Sequence, residues 1–115
     1  MKEIGRDSSG IQAYISTPEN ILDVVAKLTG LTHDYIKTNE KQDARHAREI
    51  ISLLLVENLE ASLLETGHFL RGHTAPAVKK LKTRGARRLR SKKEVEFAHT
   101  FAVAEQRSNI AKYPL

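Results

Sequence analysis

Six stretches of the chain carry apolar residues at three- and four-residue spacing, separated by short polar or glycine-containing breaks. That period is the signature of an amphipathic helix with one face turned inward. The first stretch, 18–29, places Ile21, Leu22, Val24, Val25 and Leu28 on one side. A short second stretch, 33–37, offers Tyr35 and Ile36, and a polar loop over 38–43 follows. The third, 44–60, is the most regular, with Ala47, Ile50, Ile51, Leu54, Leu55 and Leu59. It is the expected central core helix. A fourth helix over 63–70, a fifth over about 75–90 with Val78, Leu81 and Leu89, and a sixth over 92–110 with Val95, Ala98, Phe101, Ala102 and Ile110 complete the set. No stretch alternates with the period of two that a half-buried strand requires.

The breaks carry helix punctuation. Thr17-Pro18 supplies an N-cap hydroxyl and a proline at the first helical position, where no backbone donor is lost. Gly30 stops that helix. Thr32 and Thr74 are further N-cap candidates, Pro76 is tolerated in the first turn of the fifth helix, and Gly85 marks a point where that helix loosens. Ser62-Leu63-Leu64-Glu65 and Ser91-Lys92-Lys93-Glu94 both have the S-x-x-E spacing of a capping box. Residues 1–16 read as a flexible N-terminal segment.

Composition narrows the class. Apolar residues make up 40% and aromatics 5%, with no Trp, so the core is aliphatic and favours helices over sheets. The absence of cysteine excludes disulfides and thiolate chemistry. No apolar run approaches the roughly 20 residues that cross a bilayer, and the first residues lack a signal-peptide core. The expectation is an all-α cytoplasmic protein of about six helices, without membrane contact.

Charge changes the picture more. The 28 residues from Thr66 to Lys93 hold ten basic side chains and no acidic one. The other 87 hold nine basic and fourteen acidic side chains, so a chain of +5 is +10 in one quarter of its length and −5 elsewhere. A concentrated positive field attracts polyanions, nucleic-acid phosphate above all. A short helix, a glycine-containing turn and a second helix make a helix-turn-helix. Here the pair is 63–70 and 75–90, and the second helix is the basic one. In that motif the second helix enters the major groove with its N-terminal residues at base edges. Arg71, His73 and Thr74 are the expected base contacts. Arg48, Lys79, Lys80, Lys82 and Arg84 are the expected phosphate contacts, and the cluster from Arg87 to Lys93 adds non-specific attraction.

The order of elements over residues 19–90 resembles the C-terminal DNA-binding domain of the bacterial replication initiator DnaA, of the Trp-repressor-like class. ENILDVVAKLTGLTHDYI is similar to that family's opening helix and the short helix after it. ARHAREIISLLLVENL is similar to the helix that begins with its Arg-Pro-Arg-Gln segment, and SLLETGHFLRGHTA to its capping box and Arg-Asp-His-Thr-Thr signature. The resemblance implies a backbone-contacting role for Arg48 and signature positions for Arg71, His73 and Thr74. Three departures, Glu49 for Gln, Gly72 for Asp and Ala75 for the second Thr, imply a different target sequence. No G-x-x-x-x-G-K-[ST] is present, so the chain lacks the ATPase part of an initiator. It reads as a stand-alone module, 17–90, with a last helix in 91–115 that packs on the long helix or forms a dimer seam.

No other chemistry competes. His68 and His73 flank the turn and lack the i, i+4 spacing of a zinc pair, and Glu57, Glu60 and Glu65 read as solvated helix charges. The sequence therefore points to a non-enzymatic, sequence-preferring double-stranded DNA-binding protein with no metal and no cofactor. A second copy of the chain, or a larger replication or mobile-element protein, is the expected protein partner. The alternative is an adaptor whose basic helix docks on an acidic protein or on structured RNA.

Overall fold

The computed structural model describes residues 17–108, and among these every regular element is helical. They are α1 (Pro18–Thr29), α2 (His33–Thr38), α3 (Gln42–Leu53), a π-helical continuation of α3 (Leu54–Asn58), α4 (Leu63–Phe69), α5 (Ala75–Arg90) and α6 (Val95–Arg107). The expected mobile N-terminal segment and the expected packing of Ile110 lie outside the described residues.

The caps act as the spacing predicts, with one exception. Thr17, Thr32 and Thr74 each accept a backbone N–H three residues on, from Asn20, Tyr35 and Ala77. Ser62 and Glu65 form a reciprocal capping box, with bonds of 3.0 and 2.9 Å. The second expected box does not form. Glu94 gives its carboxylate to Arg88 instead of reaching back to Ser91, and the Ser91 hydroxyl accepts from Lys93 N–H. Helix α6 accordingly starts at Val95, three residues later than the capping-box spacing implies.

Helix α3 starts two residues earlier than its apolar pattern suggests. Gln42 and Asp43 fit a first turn whose amides need no intrahelical partner, and Asp43 faces the positive end of the helix dipole. Its carboxylate also accepts the Tyr35 hydroxyl at 2.9 Å, and this bond, above all, holds the phenol above its ordinary pKa. From Ala47 to Leu55 every residue of α3 and its continuation is buried, so this helix is the centre of the molecule. Past Leu53 the helix widens, Leu59 N–H bonding to Leu54 O five residues back, and left-handed Glu60 (φ 59°) ends it.

Around α3 the core is aliphatic except for Phe97: Ile21, Leu22 and Val25 from α1, Ile36 from α2, and Leu70, Leu81, Phe97 and Ala104 from the later segments. Helix α5 packs most extensively on α3, and α4 on α5. Helix α6 turns Phe97 and Ala104 inward and packs chiefly on α1 rather than on the long helix, leaving Val95 70% exposed and Ala102 at the surface. Val95 and Ala102 thus fall outside the inner face the sequence assigned them.

Two glycines permit the closest approaches. Helix α5 does not loosen at Gly85. A Cβ there would lie 2.7 Å from Leu53 Cδ1 and 3.3 Å from both Cβ and O of Glu49, so the missing side chain is what lets α5 lie against α3. In α4, a Cβ on Gly67 would collide with the His73 carbonyl of the following turn. Gly67→Ala is therefore expected to destabilise the fold by about 3 kcal/mol, because overpacking against backbone outweighs the roughly 1 kcal/mol gain in helix propensity. Urea denaturation measures this. At Gly85 the first clash is with a movable leucine tip, so Gly85→Ala is expected to cost less.

His46 packs edge-on against Phe97, ring centroids 5.6 Å apart, and burial followed by the field of Arg88 lowers its pKa from the ordinary 6.5. The folded state thus disfavours a proton that the unfolded chain accepts. The stability this gives is complete above pH 6.5 and is lost as the pH falls from there through the lower folded value. Melting curves between pH 7.5 and pH 5 are expected to show that loss, and His46→Phe to reduce it.

Candidate nucleic-acid interface

The interface candidate is built on α4, the turn after it, and α5. The turn is made by two consecutive left-handed residues, Arg71 (φ 68°) and Gly72 (φ 89°). The Gly67 carbonyl accepts the amides of both Gly72 and His73, at 3.2 and 3.1 Å. Arg71 adopts a conformation uncommon for a residue with a side chain. Its guanidinium reaches Asp34 of α2 at 3.0 Å, in a pair that is more than half exposed at both ends.

Helix α5 has two unlike faces. Val78, Leu81 and Gly85 are buried toward α3 and α4. Lys79, Lys80, Thr83, Arg84, Arg87 and Arg90 are all exposed. At 100° per residue these six fall within a sector of about 140°, and at 1.5 Å per residue the five cations run over about 16 Å. No acidic side chain interrupts them, and none of the five makes an ion pair among the described residues. Arg87 and Arg90, assigned only a diffuse role from the sequence, lie in the same row as Lys79, Lys80 and Arg84. Their i, i+3, i+4, i+7 spacing already carried that information.

Other expected contacts are committed elsewhere. Arg48 is 5% exposed, and its Nη1 donates to the carbonyls of Ile36 and Asn39, both at 2.7 Å. It closes the carboxyl end of α2, whose last carbonyls have no partner within the helix. Burial, with Arg45 adding to it, lowers its pKa from the ordinary arginine value. Arg48, expected from the sequence to contact phosphate, thus spends its Nη1 within the fold. His73 is half-buried, and its Nε2 donates to Lys37 O at 3.1 Å, tying the turn to the same end of α2. It is a fastening of the turn rather than a free base reader. Lys82 sits on the flank of α5, bonded to Glu57 at 2.9 Å. Thr74 is exposed at the first turn, with its oxygen accepting the Ala77 amide.

Two arrangements had no local signal. Glu49, 1% exposed, receives Arg88 Nε at 2.7 Å, and the same guanidinium reaches Glu94 at 3.2 Å through Nη1. These bonds, that to Glu49 above all, raise the Arg88 pKa. The Glu49 carboxylate is therefore occupied within the fold rather than presented at the surface. Lys37 lies 4.7 Å above the Phe69 ring, a further α2–α4 link.

An open cleft of about 510 Å³ lies between the end of α1 and the starts of α3 and α6, with Leu28, Leu31 and Phe97 beside Asp43, His46 and Lys93. Its charges are mixed in sign. Among the described residues no three His, Asp or Glu side chains converge to hold a metal ion, and no helix is long and apolar enough to cross a membrane. No protein-family model, no curated protein and no solved structure matches the chain.

The division between fastening and exposed groups is measurable. Arg48→Ala leaves buried carbonyls without a charged donor and is expected to lower stability by about 2–3 kcal/mol. His73→Ala is expected to cost about 1 kcal/mol, and Arg84→Ala less than about 0.5 kcal/mol. Chemical denaturation of the three variants checks the order. A neutral Arg48→Ala would contradict its assignment to the fold.

Proposed function

We propose that this chain binds double-stranded DNA, with α4, the turn and α5 acting as a helix-turn-helix and the outer row of α5 facing the phosphates. The observation that carries the reading is the acid-free row of Lys79, Lys80, Arg84, Arg87 and Arg90, exposed along a single face. Cations left unpaired at the surface are available to replace the counterions of a duplex. The first turn of α5 is open enough for Arg71 and Thr74 to meet base edges, and His73 holds that turn in place. The order of elements, which resembles that of the C-terminal domain of DnaA, is compatible with such a reading head. In this proposal the chain is a binding module without catalytic residues, metal or cofactor. Arg71 would exchange Asp34 for a base or phosphate on binding. Thr74 keeps its hydroxyl hydrogen to donate while it caps the helix.

Two of the original contacts are replaced. Arg87 and Arg90 take the phosphate roles that Arg48 and Lys82 are too engaged to fill. Five phosphate contacts, from the cations of the row, give an expected slope of log affinity against log salt of about −4.5 for duplex DNA. Fluorescence anisotropy with a labelled mixed-sequence duplex between 50 and 400 mM salt measures it. Lys79→Gln with Lys80→Gln is expected to flatten the slope by about 2 on every sequence. A slope near zero, or equal binding by the double variant, would sink the proposal. Tighter retention of an acidic protein or of structured RNA than of duplex DNA under the same salt would favour the adaptor reading instead.

A further inference from the structure

At the carboxyl end of α5 an open notch of about 300 Å³ is lined by Arg84, Arg87, Arg88, Ser91 and Glu94. Three arginines and one serine thus border a space large enough for a tetrahedral oxyanion. Arg84 and Arg87 are exposed and make no ion pair among the described residues. The Ser91 oxygen accepts from Lys93 N–H, which leaves its hydrogen free to donate. Guanidinium forks match phosphate oxygens in geometry as well as charge. The one group that opposes an anion is Glu94, whose carboxylate lines the notch and is held at 3.2 Å by Arg88. Arg88 has a second, buried anchor in Glu49 and would stay in place without Glu94.

We propose that this notch is a phosphate seat and that Glu94 is its built-in competitor, a carboxylate on Arg88 that the incoming phosphate meets and weakens. The ligand chemistry is a phosphate oxyanion. That it belongs to a nucleic-acid backbone rests on the DNA reading above, and a free phosphate is the other source. Thr74 and Arg87 are separated by about 20 Å along the helix axis at 1.5 Å per residue. A seat at Arg87 therefore anchors the far end of α5, so the helix must lie along its partner rather than meet it end-on.

The test compares two isocharge variants. Glu94→Gln and Glu96→Gln each remove one negative charge near the start of α6, but only Glu94 lines the notch. Glu94→Gln is expected to bind a labelled duplex about fivefold more tightly, the effect of one unit charge at contact distance in water, and Glu96→Gln less than about twofold more tightly. Arg84→Gln with Arg87→Gln is expected to flatten the salt slope by about 2 and to abolish the advantage of Glu94→Gln when combined with it. Equal gains for the two glutamate variants, or a gain that survives the arginine double variant, overturn the seat while leaving DNA binding intact. If no variant binds duplex DNA at low salt, the DNA reading fails. The seat is then judged by titrating inorganic phosphate and following the arginine side-chain N–H resonances. Saturable shifts at Arg84, Arg87 and Arg88, enlarged in Glu94→Gln, support a free-phosphate seat, and their absence overturns it. Should Glu94→Gln unfold, the arginine double variant in the phosphate titration decides the question: loss of the saturable shift at Arg88 supports the seat, and its persistence overturns it.

Discussion

The ion pair between Glu49 and Arg88 is the constraint on which the basic face depends. Glu49 is almost completely buried in α3, the helix on which the core is centred. A carboxylate cannot be left there without a cation, since removing one partner of a buried pair costs about 3–5 kcal/mol. Arg88, from the last turn of α5, supplies it. The pair fixes the rotation of α5 about its own axis. With Arg88 turned toward α3 and Gly85 pressed against Glu49 and Leu53, the remaining cations of the helix, Lys82 on its flank apart, line the outer face.

That arrangement crowds five like charges on one face, with Glu94 reaching only its Arg84–Arg87 end. Self-repulsion of this kind opposes the compact state, and a fold under no other demand would relieve it with interspersed carboxylates. The molecule places its carboxylates where they relieve only the flanks: Glu57 beside Lys82, Glu94 beside Arg88 and Asp34 beside Arg71. The outer row is left to solvent or to a polyanion. This is the physical content of the DNA proposal, and it is independent of any likeness to a known family.

The turn before α5 is held by polar groups that sequence reasoning would assign to recognition. Arg48 and His73 both spend their donors on the carbonyl end of α2, through Ile36, Asn39 and Lys37. Arg71 leans on Asp34 of the same helix, and Lys37 stacks over Phe69. Six-residue α2 is too short to be stable alone, and these contacts make it a brace between α3 and the turn. Neighbouring residues thus differ in how they are held, the half-buried His73 tied to α2 and Thr74 left exposed.

The sequence by itself determined the helices and most of their ends. Apolar period and caps act between residues three or four apart, so Thr17, Thr32, Ser62 with Glu65, and Thr74 could be read without knowing the fold. The all-helical class and the buried face of α3 were legible for the same reason, as was the concentration of positive charge after Thr66. Only the tertiary structure decided which charges are free. Arg48 bonds to residues 9 and 12 positions away, His73 to one 36 away, and Arg88 to one 39 away. The failed capping box at Ser91 has this origin too, because Arg88 draws Glu94 away from the local partner its spacing suggested. Side chains of one type and one charge are indistinguishable in a sequence. Burial and long-range pairing separate them, and those depend on how α3, α5 and α2 pack.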